Sequence, residues 1–231
     1  MKCVPVLGLA ALILVPAGLS AQRLGVAARA GTIGVGVEGS VELADRLVVR
    51  GGIGLLPFEV DPASLWDLGE GISATLKLPD KWYNIGVDFY LGSSLRLGGG
   101  MLFKPDDPTI TGTLTGSASI DIGGQTYTVE DVTGITGKFV SNDRAPYALI
   151  GFGKHTSSGI GLFLDLGVAL LGEPDVQLTA TGNSSLINSA DPTSDFQTRL
   201  RIEEQSLEDR AGTYLKYWPI LNLGLRVGIG G

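Results

Sequence analysis

Single charged residues recur on the small or polar faces of segments in which every second residue is aliphatic. In residues 219–229, Leu, Val or Ile occupies each odd position from Leu221 onward, and Arg226 shares the other face with asparagine and glycine. Because the side chains of a strand alternate between its two faces, such charges would collect on one side of a sheet. If that side encloses a lumen, its charges can select which small solutes pass. The candidate lumen-lining residues are Arg29, Glu38, Glu42, Arg50, Asp88, Arg96, Asp165 and Arg226.

These eight residues have two interpretations, and the sequence leaves both open. They can line a narrow water-filled path for small zwitterionic or cationic solutes, or they can pair into a network that holds the lumen shut. Buried charges are costly unless paired, and side chains can fill the interior of an eight-stranded barrel. These arguments favour a plugged or nearly plugged lumen. Inward glycines favour residual space, so a channel is kept as the leading activity. Those glycines are Gly34, Gly36, Gly52, Gly54, Gly86 and Gly98.

An enzymatic role has little support in the sequence. His155 is the only histidine, so it is the only candidate base for a Ser/His hydrolase. It lies in the polar segment 155–158, which predicts a short exposed turn, and there its neighbours Ser157 and Ser158 would form a poor triad. The sequence contains no nucleotide-binding loop and no metal-ligand cluster. We therefore predict no enzymatic activity, no catalytic residues, no metal site and no cofactor.

The elements that would position the charges are eight strands with alternating patterns. An even number of strands and a regular alternation of short and long connections are typical of bacterial outer-membrane barrels. After the second strand the predicted connections follow that alternation, which places both chain termini at one end. The strands are predicted at 24–31, 33–43, 46–60, 73–91, 94–104, 137–154, 159–171 and 214–229. The short connections are Gly31-Thr32, Ala44-Asp45, Gly92-Ser93 and 155–158, and the long ones are 61–71, 105–136 and 183–212.

Two of the long connections contain recognisable local structure. Gly123-Gly124 within residues 120–129 predicts a small hairpin that stands clear of the barrel. Ser194 could cap a helix over residues 195–210. The acids of this helix, Glu203, Glu204, Glu208 and Asp209, are interpreted as a solvated face, and the pairs Asp106-Asp107 and Glu130-Asp131 lack the spacing of a calcium loop.

Aromatic residues near the predicted strand ends fit the girdles that mark the two membrane interfaces of a barrel. They are Trp82, Tyr83, Phe89, Tyr90, Tyr147, Tyr214, Tyr217 and Trp218.

The first residues predict export. Lys2, an apolar run over residues 4–19 and the small residue Ala21 have the pattern of a cleavable signal peptide, 1–21, which leaves one domain at 22–231. The single cysteine, Cys3, lies within the signal, so no disulfide is expected. With 17 basic and 24 acidic residues the net charge is −7, which argues against nucleic acid as a partner. No segment after residue 21 has eighteen consecutive apolar residues, so no transmembrane helix is predicted there.

Several stretches resemble small outer-membrane barrels of the OmpW type, and most closely the CarO-like porins. These stretches are AGTIGVGVEGSVEL near the start, GGQTYTV, RAPYALIGFG, GEPDVQLTATG and YLKYWPILNLGLRVG near the end, in the same order. The resemblance implies an eight-stranded barrel associated with ornithine uptake and carbapenem susceptibility. One departure is the end of the chain, Gly-Ile-Gly-Gly, where such barrels usually place an aromatic residue that the assembly machinery reads.

Pattern and resemblance together predict an all-β protein, an eight-stranded antiparallel transmembrane β-barrel of the cell outer membrane. Its short turns would face the periplasm and its long loops the exterior. The expected partners of this monomer are outer-membrane lipids, small hydrophilic solutes and the barrel assembly machinery. The expected function is a narrow passive channel for small hydrophilic solutes such as amino acids. The alternative is a non-conducting barrel with a structural, adhesive or stress-related role through its loops. A soluble lipocalin-like barrel, with the apolar faces inside, is a third possibility.

Overall fold

The computed structural model describes residues 23–56, 59–61, 70–187 and 195–229. The predicted signal peptide, most of the first long loop and Ser194 lie outside these residues. In chain order the strands are β1 (Leu24–Gly31), β2 (Val35–Ala44), β3 (Leu47–Leu55), β4 (Glu59–Val60), β5 (Ile72–Lys77), β6 (Lys81–Tyr90), β7 (Leu95–Phe103), β8 (Thr109–Leu114), β9 (Ser119–Ile122), β10 (Gln125–Thr128), β11 (Val132–Val140), β12 (Arg144–Phe152), β13 (Gly159–Leu170), β14 (Asp175–Gly182) and β15 (Tyr217–Ile229). The helices are α1 (Ser184–Ile187) and α2 (Asp195–Leu215).

Eight of these strands form a closed antiparallel barrel in the ring order β1-β15-β13-β12-β7-β6-β3-β2. Pairing of β1 with β15 closes the ring, with Leu24 opposite Ile229 and Gly31 opposite Asn222. The predicted eight-stranded all-β fold is confirmed. The start of β1 and the end of β15 share one end of the barrel with three short turns, and we call this the terminal end. The opposite end, where the longer connections emerge, is the loop end.

A second sheet of five strands continues five adjacent barrel strands beyond the loop end. Its order, β14-β11-β8-β5-β4, is the order of their barrel neighbours β13, β12, β7, β6 and β3. The predictions of single strands over 46–60, 73–91 and 137–154 are wrong, because each is interrupted between barrel and outer sheet. Proline explains several interruptions, since it cannot donate to a strand ladder. Pro79 separates β5 from β6, Pro105 and Pro108 separate β7 from β8, and Pro174 separates β13 from β14.

The predicted hairpin and helix are both present at the loop end. β9 and β10 pair around Gly123 and Gly124, whose positive φ angles of 57° and 80° suit a tight turn. Helix α2 packs Phe196 and Leu200 into an apolar cluster with Tyr127 of the hairpin. Within the described residues, neither helix is long and apolar enough to cross a membrane.

The barrel strands turn their aliphatic faces outward and their charged faces inward. Along β6 and β15 exposed and buried residues alternate almost without exception. Leu221 is 50% exposed and Leu223 is 58% exposed, whereas Arg50 and Asp88 are buried. An exposed apolar surface of this extent indicates a site that contacts another protein or a membrane. The lipocalin-like alternative is therefore wrong, because it requires the opposite orientation.

Three aromatic residues assigned to the interfacial girdles lie inside the barrel instead. Trp82, Tyr90 and Tyr147 are 0%, 1% and 6% exposed, respectively. The prediction is wrong for these residues because proximity to a strand end does not decide which face a side chain occupies. Their positions in the alternation do decide it: Trp82 and Tyr90, for instance, share the face of Asp88. Tyr83, Phe89 and Tyr217 are exposed on the outer face, as a girdle requires.

Candidate functional site

Arg50 lies in the barrel interior and contacts carboxylates from three other strands. Its Nη1 lies 3.3 Å from Oε1 of Glu38 and 2.9 Å from Oδ2 of Asp165. Its Nε lies 3.2 Å from Oδ1 of Asp88. None of these four residues is more than 2% exposed. Arg50 donates charge-assisted hydrogen bonds to Glu38 and Asp165, which are roughly twice as strong as neutral ones, and forms an ion pair with Asp88. This one guanidinium therefore ties β2, β3, β6 and β13 together across the lumen.

Arg29 and Arg96 complete what we call the charge cluster, the six residues Arg29, Glu38, Arg50, Asp88, Arg96 and Asp165. Nη1 of Arg29 lies 3.3 Å from Oε2 of Glu38. Nε of Arg96 lies 2.8 Å from Oδ2 of Asp88, and Nη2 of Arg96 pairs with Asp165. Three guanidinium groups therefore face three carboxylates, and their formal charges cancel. Since a buried charge is costly unless it is paired, this balance lowers the cost of holding the six charged groups inside the barrel.

Glycines opposite the charged residues make room for their side chains. Gly98 faces Asp88 across the β6–β7 pair, and Gly151 of β12 lies between Arg96 on one side and Asp165 on the other. A Cβ atom on Gly151 would overlap the guanidinium of Arg96, and one on Gly98 would overlap the carboxylate of Asp88. The expectation that inward glycines leave empty space is wrong at Gly98, because the neighbouring carboxylate fills it.

The turn between β12 and β13, residues 153–158, folds into the terminal end of the barrel, and we call it the plug turn. His155 is only 1% exposed, and its Nε2 lies 3.2 Å from Oε1 of Glu38. Its backbone N–H donates to the Tyr90 hydroxyl at 2.9 Å. Thr156 is fully buried and donates to Oε2 of Glu42 at 2.5 Å. The prediction of an exposed turn is therefore wrong, because buried acceptors inside the barrel offer its polar groups partners.

The other candidate residues hold the plug turn rather than the charge cluster. Arg226 donates to the backbone oxygen of Ser157 and, at 3.2 Å, to that of Gly159. Glu42 is half-buried and accepts from Thr156. The structure thus buries seven of the eight sequence-selected residues, of which six meet in the charge cluster. Their role in passing solutes stays a prediction.

An apolar layer fills the barrel interior at the loop end. Trp82 lies in this layer and packs against Trp218, with ring centroids 4.8 Å apart and the ring planes tilted by 36°. Tyr147 occupies the space above Gly86, another inward glycine. This apolar layer therefore fills the lumen at the loop end, and the charge cluster fills it below. Its buried members are Ile33, Trp82, Leu102, Ala145, Tyr147, Leu149, Ala169, Leu171 and Ile220.

Acidic residues of α2 bind backbone groups at the edge of the outer sheet. Oε1 of Glu204 accepts from the backbone N–H of Leu178 at 2.7 Å, and Oε1 of Glu208 accepts from that of Val176 at 2.8 Å. Both N–H groups belong to β14, the edge strand. An unpaired strand edge invites pairing with another chain, so these carboxylates take the place of a further strand. The interpretation of these two acids as a merely solvated face is wrong.

Asp107 lies at the junction of the barrel and the outer sheet and pairs with two lysines. Lys104, which is 1% exposed, donates to Asp107, and Nζ of Lys138 lies 3.3 Å from its Oδ2. Burial by itself would raise the pKa of the Asp107 carboxyl, but the hydrogen bond and charge of Lys104, with help from Lys138, outweigh it and lower that pKa. Asp131, from the other acidic pair, accepts from Thr128. No group of acids, histidines or cysteines suited to a metal ion occurs within the described ranges.

Comparison with known proteins identifies the fold. No family model matches the sequence, and no curated protein sequence matches it. The crystal structure of CarO2 from Acinetobacter baumannii matches with a TM-score of 0.60 and 20% sequence identity, over 90% of this chain and 98% of that one. The crystal structure of CarO from the same organism matches with a TM-score of 0.56 and 18% identity, over 88% and 96% of the two chains. The predicted resemblance to CarO-like barrels is confirmed at the level of the fold.

Proposed function

We propose that this chain is a monomeric outer-membrane barrel with a closed lumen, which acts through the outer sheet and α2 on the cell exterior. The observation that carries the proposal is the charge cluster, in which Arg50 contacts Glu38, Asp88 and Asp165 inside the barrel. A path for hydrophilic solutes needs charged groups that face water. In this interior the charged groups face one another.

The outer surface of the barrel supports the membrane location. Exposed aliphatic residues cover several strands, including Val87 of β6, Ile150 of β12 and Leu225 of β15, each more than two-fifths exposed. A closed barrel satisfies its backbone hydrogen bonds internally, so such a surface is compatible with hydrocarbon. Outer-membrane lipids are the partners that this surface fits, and an exported barrel of this kind requires the assembly machinery for insertion.

The closed interior consists of three successive layers. The apolar layer lies at the loop end, the charge cluster lies below it, and the plug turn occupies the terminal end. His155 joins the last two, since its ring lies close to Glu38 and its backbone binds Tyr90. We assign His155 this positioning role and no catalytic one. Passage of amino acids would require at least the charge cluster and the plug turn to rearrange together.

Conductance in a planar lipid bilayer tests the closed lumen. The refolded protein is added to one side and current is recorded with and without ornithine. We expect no discrete openings, because each layer blocks ions. Flotation of vesicles from the same preparation verifies insertion, so that a silent bilayer cannot result from absent protein. Discrete openings that change when Arg50 or Asp88 is substituted would overturn the proposal in favour of a charge-lined channel.

A further inference from the structure

The outer wall of the barrel carries an apolar groove at the loop end. Its volume is about 600 Å³, within the range of sites that hold small ligands. Strands β1, β13 and β15 provide one wall, and the ends of β3 and β5 provide residues of the other. The described residues that line it include Ala30, Thr32, Leu164, Trp218, Leu221 and Leu223.

The groove exists because the outer sheet is separated from the barrel by interruptions in the strands. Leu56 follows β3 and Leu78 follows β5, so both lie where the barrel strands give way to the outer sheet. The β1–β2 connection nearby is a tight turn, closed by a hydrogen bond from Gly34 N–H to Gly31 O of 3.0 Å. The short β1–β2 turn does not extend as far as the neighbouring outer sheet, and the groove lies in the recess between the two.

The described residues that line the groove are almost all apolar. Thr32, the residue among them with a hydroxyl group, has a partner already, because its hydroxyl accepts from the backbone N–H of Leu221 at 3.0 Å. The indole N–H of Trp218 donates to the backbone oxygen of Thr32 at 3.3 Å. A ligand for this site therefore gains from apolar contact and does not need to offer hydrogen bonds.

We propose that this groove binds one acyl chain of a membrane lipid. The proposal rests on the membrane location proposed above. The groove is continuous with the lipid-facing surface, because Leu221 and Leu223 line it and are also about half exposed on the outer face of β15. An acyl chain can therefore enter sideways from the bilayer. Trp218 lies between the groove and the apolar layer, where it packs against Trp82, so the occupant contacts the residue that closes the lumen at this end.

Quenching of Trp218 fluorescence by brominated lipid tests the site. The variant with Trp66→Phe and Trp82→Phe retains Trp218 as its only tryptophan. It is reconstituted in phosphatidylcholine vesicles whose acyl chains carry bromines midway along their length. Trp218 is the second residue of β15, at the loop end of the barrel. The proposed membrane location puts the headgroups at this level, where ordinary surrounding lipid keeps mid-chain bromines away from the indole. An acyl chain in the groove brings them into contact.

A second reporter at the rim provides the matched comparison. Tyr83 is 41% exposed on the outer face near the loop end, and Tyr83→Trp in a background without the three native tryptophans reports on ordinary lipid. We expect stronger quenching of Trp218 than of the reporter at position 83. Equal or weaker quenching of Trp218 would overturn the acyl-chain site. Absence of quenching at position 83 with every bromine position would instead contradict the membrane location.

A groove-filling variant verifies where the lipid binds. Ala30→Phe should reduce Trp218 quenching to the level at position 83, because the added ring takes the space of the chain. Ala148→Phe, on the exposed face of β12, should leave quenching unchanged. Loss of the folded electrophoretic mobility would show that Ala30→Phe misfolds, and Leu221→Phe then serves as the second groove-filling variant, read by the same quenching of Trp218. Unchanged quenching of Trp218 in a folded groove-filling variant would count against the site.

Discussion

The barrel interior and the outer sheet both use carboxylates to satisfy donors, but in opposite surroundings. Inside the barrel, Glu38, Asp88 and Asp165 face guanidinium groups, and all are almost completely shielded from water. On the outer sheet, Glu204 and Glu208 accept backbone N–H groups from a strand that borders solvent. The same side-chain chemistry closes a lumen in one region and a sheet edge in the other.

This difference shows that burial determines what one acidic or basic side chain contributes. Water can replace a lost partner at the sheet edge, where the remaining groups stay accessible. It cannot do so in the charge cluster without entering the barrel. Substitutions in the interior should therefore cause large losses of stability, and those on the outer sheet small ones.

The largest effect is expected for Arg50→Ala. This change leaves Glu38, Asp88 and Asp165 with fewer positive partners in a buried site, which typically costs about 3–5 kcal/mol. The free energy of unfolding in urea, measured in lipid vesicles, tests it. Arg46→Ala, in the exposed turn before β3, is the control and should change little. Equal effects of the two substitutions would show that the interior is hydrated.

A smaller effect is expected for Gly151→Ala. The added methyl group displaces the Arg96 guanidinium from its partners, and overpacking of this kind costs roughly 1–3 kcal/mol. Gly92→Ala is the matched control, because open space surrounds that position. The same unfolding measurement applies to both variants. If Gly151→Ala lowered the free energy of unfolding no more than Gly92→Ala, the inward glycines would not be needed to make room for the charged side chains.

At the sheet edge we expect a local effect of about 1 kcal/mol for Glu204→Ala, the usual contribution of one hydrogen bond. Hydrogen exchange at the Leu178 amide should accelerate, because that group loses its acceptor. Exchange in the barrel strands should not change. Asp209→Ala, at an exposed position of the same helix, provides the control. Faster hydrogen exchange throughout the barrel strands would show that the sheet edge and the barrel interior are not energetically independent, and would contradict the local effect expected here.

The junction at Asp107 should show a weak dependence on pH. Its folded pKa lies below the ordinary value of 3.8, so ionised Asp107 stabilises the fold above that pH. This stabilisation is lost as the pH falls through the folded pKa. The difference in unfolding free energy between the native chain and Asp107→Asn should therefore be present at neutral pH and disappear in strong acid. A difference that grows on acidification would contradict the pairing with Lys104 and Lys138.

Alternation of apolar and polar residues in the sequence predicts most of the barrel. Successive side chains of a strand point to opposite faces, so the same alternation separates the outer face from the inner one. It correctly selects Arg50, Asp88 and Asp165 as residues of one face, and all three are buried.

The apolar residues occupy even positions before Pro79, such as Leu76 and Leu78, and odd positions after it, such as Ile85. The prediction of one strand over 73–91 overlooks this change of phase, which marks the passage from β5 to β6.

The plug turn shows why other parts of the site escape sequence reasoning. Polar residues between two strands predict an exposed turn, since water normally satisfies them. The ring of His155 instead lies against Glu38, and Thr156 donates to Glu42. Both carboxylates are more than a hundred positions away in the chain. Residues so far apart in the chain come together only when the barrel closes, so the sequence does not reveal them as partners. The helix acids follow the same rule, because β14 offers its N–H groups only after the outer sheet has formed.

The most direct test of the closed interior is the reactivity of a cysteine placed inside it. Ser40, on the inward face of β2, is 5% exposed, and Ser40→Cys changes its size little. In a background without Cys3, a water-soluble thiol reagent is applied to the protein in vesicles made permeable to it. We predict no labelling in the folded protein, full labelling after unfolding, and rapid labelling of Ser93→Cys in the exposed β6–β7 turn. Labelling at position 40 as rapid as at position 93 would show that water fills the lumen and would contradict this account.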